Sequence, residues 1–226
     1  EYFDAVDAAA RGGGHVALIS VGWDPGLFSV ERLLGEAILP EGATYTFWGK
    51  GLSQGHSDAV RRLPGVAGAV QYTIPSPEAM ARARSGEQPV LATREKHTRE
   101  CYVVLAEGAD AASVERAIVT MPDYFADYDT KVHFIDAEEL AREHSAMPHG
   151  GIVIRSGRTS DSATQTMEFS LKLESNPEFT ASVLVAYARA AHRLALRGET
   201  GARSVFDIAP GLLSPKDPAQ LRKELL

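Results

Sequence analysis

Four stretches of this chain gather charged, aromatic and glycine residues in a way that core packing does not require. They are Ser20-Val21-Gly22-Trp23-Asp24-Pro25-Gly26, residues 46–58, Lys96-His97-Thr98-Arg99 and residues 144–151, and each lies at or near the end of an expected strand. Asp24 follows a strand expected over 15–21, and the carboxyl edge of such a strand is where α/β sheets place ligands. A carboxylate there suits an ammonium group, although Asp-Pro-Gly is also an ordinary turn. Trp23 beside it weighs against a bare turn, because an indole needs something to pack on. Arg99 sits within a strand expected over 95–105, on the same side as Cys101 and Val103, so its guanidinium points to the apolar face or its rim. A buried Arg calls for an anion, and a substrate carboxylate or an internal Asp or Glu would serve equally.

Weaker candidates surround these. Thr73 ends a strand and offers a hydroxyl, as many strand threonines do. His149 precedes Gly150 and Gly151, which would let backbone approach a ligand, whereas His144 reads as an ordinary residue near a helix end. Asn176 before Pro177 is accounted for as a helix N-cap, with its side chain also able to reach a ligand. His192 and the arginines of the last long helix read as solvent-facing or interface residues.

Other chemistries find no support. No Gly-x-Gly-x-x-Gly follows a strand, and no phosphate loop ending in Gly-Lys-Ser/Thr occurs. There is no Gly-x-Ser-x-Gly elbow, and Cys101 in mid-strand is a poor nucleophile. The spacing of His144 and His149 is not that of a zinc protease, so no metal is expected. A net charge of -7 argues against binding a phosphate backbone, which excludes nucleic acid as the expected partner. The single cysteine admits no internal disulfide and suits a reducing cytoplasm. No apolar run approaches a membrane span, and residues 1–11 lack a signal peptide's regions, so a membrane partner is not expected either.

Elements that must position these residues are legible from periodicity. A helix over 1–11 stops at Gly12-Gly13-Gly14 and feeds the strand over 15–21, followed by a helix to 39, a strand over 43–48 and a short helix over 53–63. A strand over 66–74 leads into a helix capped by Ser76 with Pro77 at its first position. Beyond the strand over 95–105, a helix capped by Asp110 runs to about 121, and strands follow over 130–135 and 151–156. Strict alternation of Gln165, Met167, Phe169, Leu171 and Leu173 with polar residues gives a strand over 163–173 with one face buried and one wet. The longest helix starts at Asn176-Pro177, carries Val183, Tyr187, Ala190 and Leu194 on one stripe, and ends at Gly198. One-sided strands favour an antiparallel or mixed sheet with helices on one side, so the fold class is α/β and α+β.

Gly22-Trp23-Asp24-Pro25-Gly26, Thr46-Phe47-Trp48-Gly49, the run Gly51 through Ala59, Val70-Gln71-Tyr72-Thr73, Thr120-Met121-Pro122-Asp123-Tyr124-Phe125, Met147-Pro148-His149-Gly150-Gly151 and Asn176-Pro177 are ordered motifs spread over almost the whole chain. Together they resemble the meso-diaminopimelate dehydrogenase family. That resemblance implies a homodimeric, NADP-dependent enzyme oxidising the D-configured carbon of meso-2,6-diaminopimelate to L-2-amino-6-oxopimelate and ammonia. Carried over by motif, Asp24 would engage the D-centre amino group and Trp23 and Trp48 would wall the pocket. Gln54, Gly55 and Asp58 would line it, Thr73, Arg99 and His149 would hold the L-centre carboxylate, and Asn176 would complete the contacts.

The same resemblance implies domains over 1–25 (the end of the dinucleotide-binding domain), 26–176 (substrate binding and dimerisation) and 177–226 (a long helix returning to the cofactor domain). Val21, Gly22 and Pro25 would then pass near the nicotinamide. The family begins with a Gly-rich βαβ unit that is absent here, which suggests truncation of a longer protein or a front half carried on a separate chain. The alternative is a non-catalytic diaminopimelate-binding or dimerising module.

Overall fold

A computed structural model describes residues 1–226. In chain order the elements are α1 (Tyr2–Gly12), β1 (Val16–Leu18), α2 (Leu27–Ile38), β2 (Gly42–Trp48), β3 (Gly51–Leu52), α3 (Gln54–Arg61), β4 (Val66–Pro75), α4 (Pro77–Arg84), α5 (Thr93–Lys96) and β5 (His97–Leu105). There follow α6 (Ala111–Val119), β6 (Asp129–Phe134), α7 (Ala137–Glu143), β7 (His149–Ser160), β8 (Ala163–Leu173), α8 (Asn176–Leu196), β9 (Gly201–Arg203), α9 (Pro210–Leu213) and α10 (Pro218–Leu225). The chain divides into two compact units, Glu1–Leu34 with Pro177–Leu226, and Gly35–Asn176. The first of these divisions falls inside α2.

In the first unit β1 and β9 pair in parallel, Val16 opposite Gly201. Helix α1 docks on β9 through Asp7, whose Oδ1 accepts the Ala202 N–H at 2.7 Å. Gly201, at φ +95, allows that approach, since a Cβ there would stand 2.5 Å from Asp7 Oδ1. The core is the α8 stripe of Val183, Tyr187, Ala190 and Leu194 packed with Val205 and Ile208. Arg189 and Arg193 of α8 do not simply face solvent: they donate to backbone carbonyls over 211–214, satisfying the end of α9.

The second unit holds two sheets. One is antiparallel, in the order β2-β7-β8; the other is mixed, in the order β3-β4-β5-β6, with β5 and β6 parallel. Helix α4 covers the first through Ala79 and Ala83 against Tyr45, Phe47 and Ile154. It starts where the sequence requires, with Ser76 Oγ accepting the Ala79 N–H and Pro77 at the first turn. Helices α3 and α6 cover the second sheet through Val60, Val114 and Ile118 against Ala69, Cys101 and Val103. Asp110 caps α6 by accepting the Ser113 N–H at 3.0 Å.

Three expectations need adjustment. The strand over 15–21 shortens to three residues. Residues 93–96 form one helical turn, and β5 begins only at His97, because Glu95 reaches back to the Ala92 N–H and closes that turn. Strand β8 alternates as expected, but Met167, Phe169 and Leu171 are half-buried and Gln165 is exposed; Leu173 alone is fully covered. No helix is long and apolar enough to cross a membrane.

Candidate functional site

Strand register assembles one group of expected residues. Gly51 of β3 pairs with Thr73 of β4, Thr73 pairs with Arg99 of β5, and Arg99 pairs with Thr130 of β6. Side chains in register share a face, so Thr73, Arg99 and Thr130 form one row across the sheet. One end of the row meets β7: a Cβ on Gly51 would lie 2.6 Å from His149 Nδ1, so the absence of a side chain there is what lets the imidazole in. The Leu52 N–H donates to Pro148 O, and the Asn176 N–H to Met147 O. Gln54 reaches the same loop through Met147 Sδ at 2.9 Å. Gln54, Thr73, Arg99, His149 and Asn176 are thus tied to one end of the second unit.

The face bearing this row grades from apolar to polar. Along β5, His97, Arg99, Cys101 and Val103 are all buried, as alternation predicts. Val103 and Cys101 belong to the apolar core, while Arg99 meets Thr73 Oγ1 through Nη1. Gln71 Nε2 also points to Thr73 Oγ1, at a long 3.5 Å. A hydroxyl oxygen has two lone pairs, and both face donors here, so the Thr73 O–H hydrogen is left to donate elsewhere.

Arg99 is 5% exposed and forms no ion pair. Its Nε has no hydrogen-bond partner, and neither has Gln71 Oε1. The Tyr128 ring lies against the guanidinium, 3.9 Å from Cζ to the centroid. Burial lowers the Arg99 pKa below its ordinary value. Sequence left open whether an internal carboxylate would meet this charge; the structure supplies none. A guanidinium that is desolvated but not neutralised attracts a carboxylate strongly and presents it with fixed N–H donors.

Two imidazoles flank the row. His97 Nε2 accepts the Trp48 N–H at 2.9 Å, and its ring stacks on the indole at 5.4 Å between centroids. Accepting at Nε2 requires the neutral ring, and burial, reinforced by Arg99 and Lys96, holds the His97 pKa down at about 4. His56 on α3 is also held neutral, at about 4, by burial and then by Arg99, with Nδ1 at 2.7 Å from Ser53 Oγ. His97 therefore sets Trp48, one of the expected walls.

Other expected residues stand differently. Asp58 is bound to Arg62, the residue that caps the end of its helix, at 2.6 Å and to Arg61 at 3.7 Å. A Cβ on Gly55 would meet nothing within 4 Å, so that surface of α3 is open. Gly150, at φ +148, makes room for backbone: a Cβ would strike Leu171 O at 2.2 Å. Gln71 and Tyr128, which touch Thr73 and Arg99, were not singled out from sequence; the one available signal was Gln71 two places before Thr73 on the same strand face.

In the first unit, Trp23 is buried edge-on to Phe28 at 5.2 Å, which gives the indole the packing that the sequence demanded. Trp23 bridges to Gly26 across the turn, and a Cβ on Gly26 would collide with Gly22 O at 1.8 Å. Asp24 lies on this turn and accepts from Arg32 Nη2 of α2 at 2.8 Å. Val21 packs on the first unit's core; Gly22 is buried and Pro25 exposed. No cluster of three or more His, Cys, Asp or Glu side chains is placed to hold a metal ion.

Residues 22–175 match the family model for the diaminopimelic acid dehydrogenase C-terminal domain. Over all 226 residues the chain is 68% identical to the meso-diaminopimelate D-dehydrogenase of Ureibacillus thermosphaericus, covering 69% of that protein. The chain belongs to the meso-diaminopimelate D-dehydrogenase family. Its fold superposes, with a TM-score of 0.95 and 57% identity, on a mutant of the Clostridium tetani family member solved with DAP, over 100% of this chain and 70% of that one. An engineered D-amino acid dehydrogenase bound to NADP+ matches with a TM-score of 0.87 and 46% identity over the same shares. Family membership makes this an oxidoreductase sequence with a mixed α/β fold, as the motifs implied.

Proposed function

We propose that this chain carries the substrate site for NADP-dependent oxidative deamination of the D-centre of meso-2,6-diaminopimelate to L-2-amino-6-oxopimelate and ammonia, a reaction that also runs in reverse toward lysine. The observation that carries this reading is the buried Arg99 cation, which meets Thr73 and Tyr128 but no protein carboxylate. In this reading Arg99, the Thr73 hydroxyl and His149 receive the L-centre carboxylate, and Asn176 and Gln54 add polar contacts from the same loop region. Trp48, held by His97, and Trp23 wall the substrate; Gly55 and Asp58 lie along it. Asp24, which also pairs with Arg32, takes the D-centre ammonium.

NADP, when bound, accepts the hydride from the substrate carbon. The protein's part is to hold that carbon still, and its residues need supply no nucleophile. Val21, Gly22 and Pro25 follow the parallel strand β1, and the carboxyl edge of parallel strands suits a nicotinamide. Phosphate binding falls outside these residues, since no Gly-rich loop is present among them. A homodimer, a cytoplasmic setting and a front half that completes the cofactor site, on the same or a separate chain, belong to the same proposal.

The test compares two substrates. D-lysine is meso-diaminopimelate without the L-centre carboxylate. In the complete enzyme, Arg99→Met should raise KM for diaminopimelate by roughly 100-fold, the loss of about 2–3 kcal/mol expected for a charged hydrogen-bonded contact, and should barely change KM for D-lysine. Equal losses for both would overturn the reading.

A further inference from the structure

We propose that Tyr128 is a positioning residue for Arg99, holding the guanidinium plane at the angle a carboxylate needs while leaving its charge unneutralised. The proposal rests on the reading of Arg99 as the carboxylate-binding group. Gripping a carboxylate with two parallel N–H bonds requires both an edge and a plane to be fixed, yet Arg has a long side chain with several free torsions. Thr73 fixes one edge, through Nη1. Nothing on strands β4 or β5 fixes the plane; the Tyr128 ring, 3.9 Å from Cζ, does.

The choice of an aromatic partner matters. A carboxylate placed against Arg99 would hold it equally well but would compete with the substrate's own carboxylate. The π face of Tyr attracts the cation while adding no net charge. Tyr128 is itself well anchored: its N–H donates to Phe125 O at 2.9 Å, and Phe125 is fully buried in the core beneath α3 and α6. The next residue, Asp129, begins β6, and Thr130 pairs with Arg99 in register. The ring is thus carried by the segment that enters the strand adjacent to Arg99.

Three variants of the complete enzyme test this: Tyr128→Phe, Tyr128→Leu and Arg99→Met. Tyr128→Phe, which keeps the ring, should hold KM for diaminopimelate within about threefold, whereas Tyr128→Leu should raise it roughly 10-fold, with kcat little changed and KM for D-lysine unaffected. If Arg99→Met weakens diaminopimelate selectively and Tyr128→Leu does not, the positioning role is overturned and the carboxylate reading stands. If Arg99→Met is not selective, the carboxylate reading itself falls. A second measurement does not depend on the Leu variant folding. The Arg99 Hε proton resonance, assigned by its disappearance in Arg99→Met, should be shifted upfield by the ring current in the unsubstituted protein and in Tyr128→Phe. An unshifted resonance would overturn the proposal.

Discussion

Arg99 and Arg155 are both buried arginines of the second unit, 5% and 6% exposed, and they spend their donors in opposite ways. Arg155 gives Nε and Nη2 to Leu39 O, Nη2 also to Pro40 O, and Nη1 to Thr44 Oγ1. It closes the carbonyl end of α2, where a cation is favoured and orphan carbonyls need donors. Gly35 of α2 lets it in, since a Cβ there would lie 2.9 Å from Arg155 Cβ. Arg99 has one hydroxyl, one ring face and an Nε with no acceptor. A buried cation whose bonds are all taken is part of the scaffold, and one whose bonds are left over has donors to offer the carboxylate proposed above.

The largest effect should separate the two on stability. Arg155→Met leaves buried carbonyls unpaired and should cost about 3 kcal/mol in denaturant unfolding. Arg99→Met removes a charge that lacks an anion, so the same measurement without substrate should show no loss or a slight gain. Equal losses would break the comparison. A sharper form sets Arg99 against His97, two places earlier on the same strand face. His97 is satisfied only as the neutral ring, with its folded pKa at about 4 against 6.5 when exposed. The unfolded chain therefore takes up a proton below about pH 6.5 and the folded one does not until about pH 4. Stability is present above that window and is lost as pH falls through it, by about 2 kcal/mol at pH 5. His97→Gln should flatten this part of the pH profile; an unchanged slope would count against the neutral ring. The smallest effect belongs to Thr73→Val, which keeps shape and removes the donor. It should weaken diaminopimelate binding by about 1 kcal/mol, read by calorimetry on the complete enzyme, with little change in Tm.

Sequence was most informative where the governing rule is local. Ser76 with Pro77 and Asp110 mark helix starts because an N-cap acts within three residues, and alternation along β5 put Arg99 on the buried face with Cys101 and Val103. It was silent where partners meet through the fold. Arg155 and Leu39 lie 116 residues apart, and Tyr128 reaches Arg99 only because β6 runs parallel to β5. Asp24 shows both sides: the turn and the packed indole were legible, while Arg32, near the middle of α2, was not. Alternation along β5 could say that a buried Arg needs an anion. Only the folded chain shows that no protein carboxylate forms an ion pair with it.

Glycines around the row set limits on redesign. A Cβ at position 49 would strike Thr73 O at 2.2 Å, one at 51 the His149 ring, and one at 150 Leu171 O. Those positions are already in close contact, so no larger residue can be fitted there without moving a strand. If the carboxylate site proposed above holds, retuning would have to go through side chains at 54, 73, 99 and 149, where atoms can be exchanged without prising strands apart.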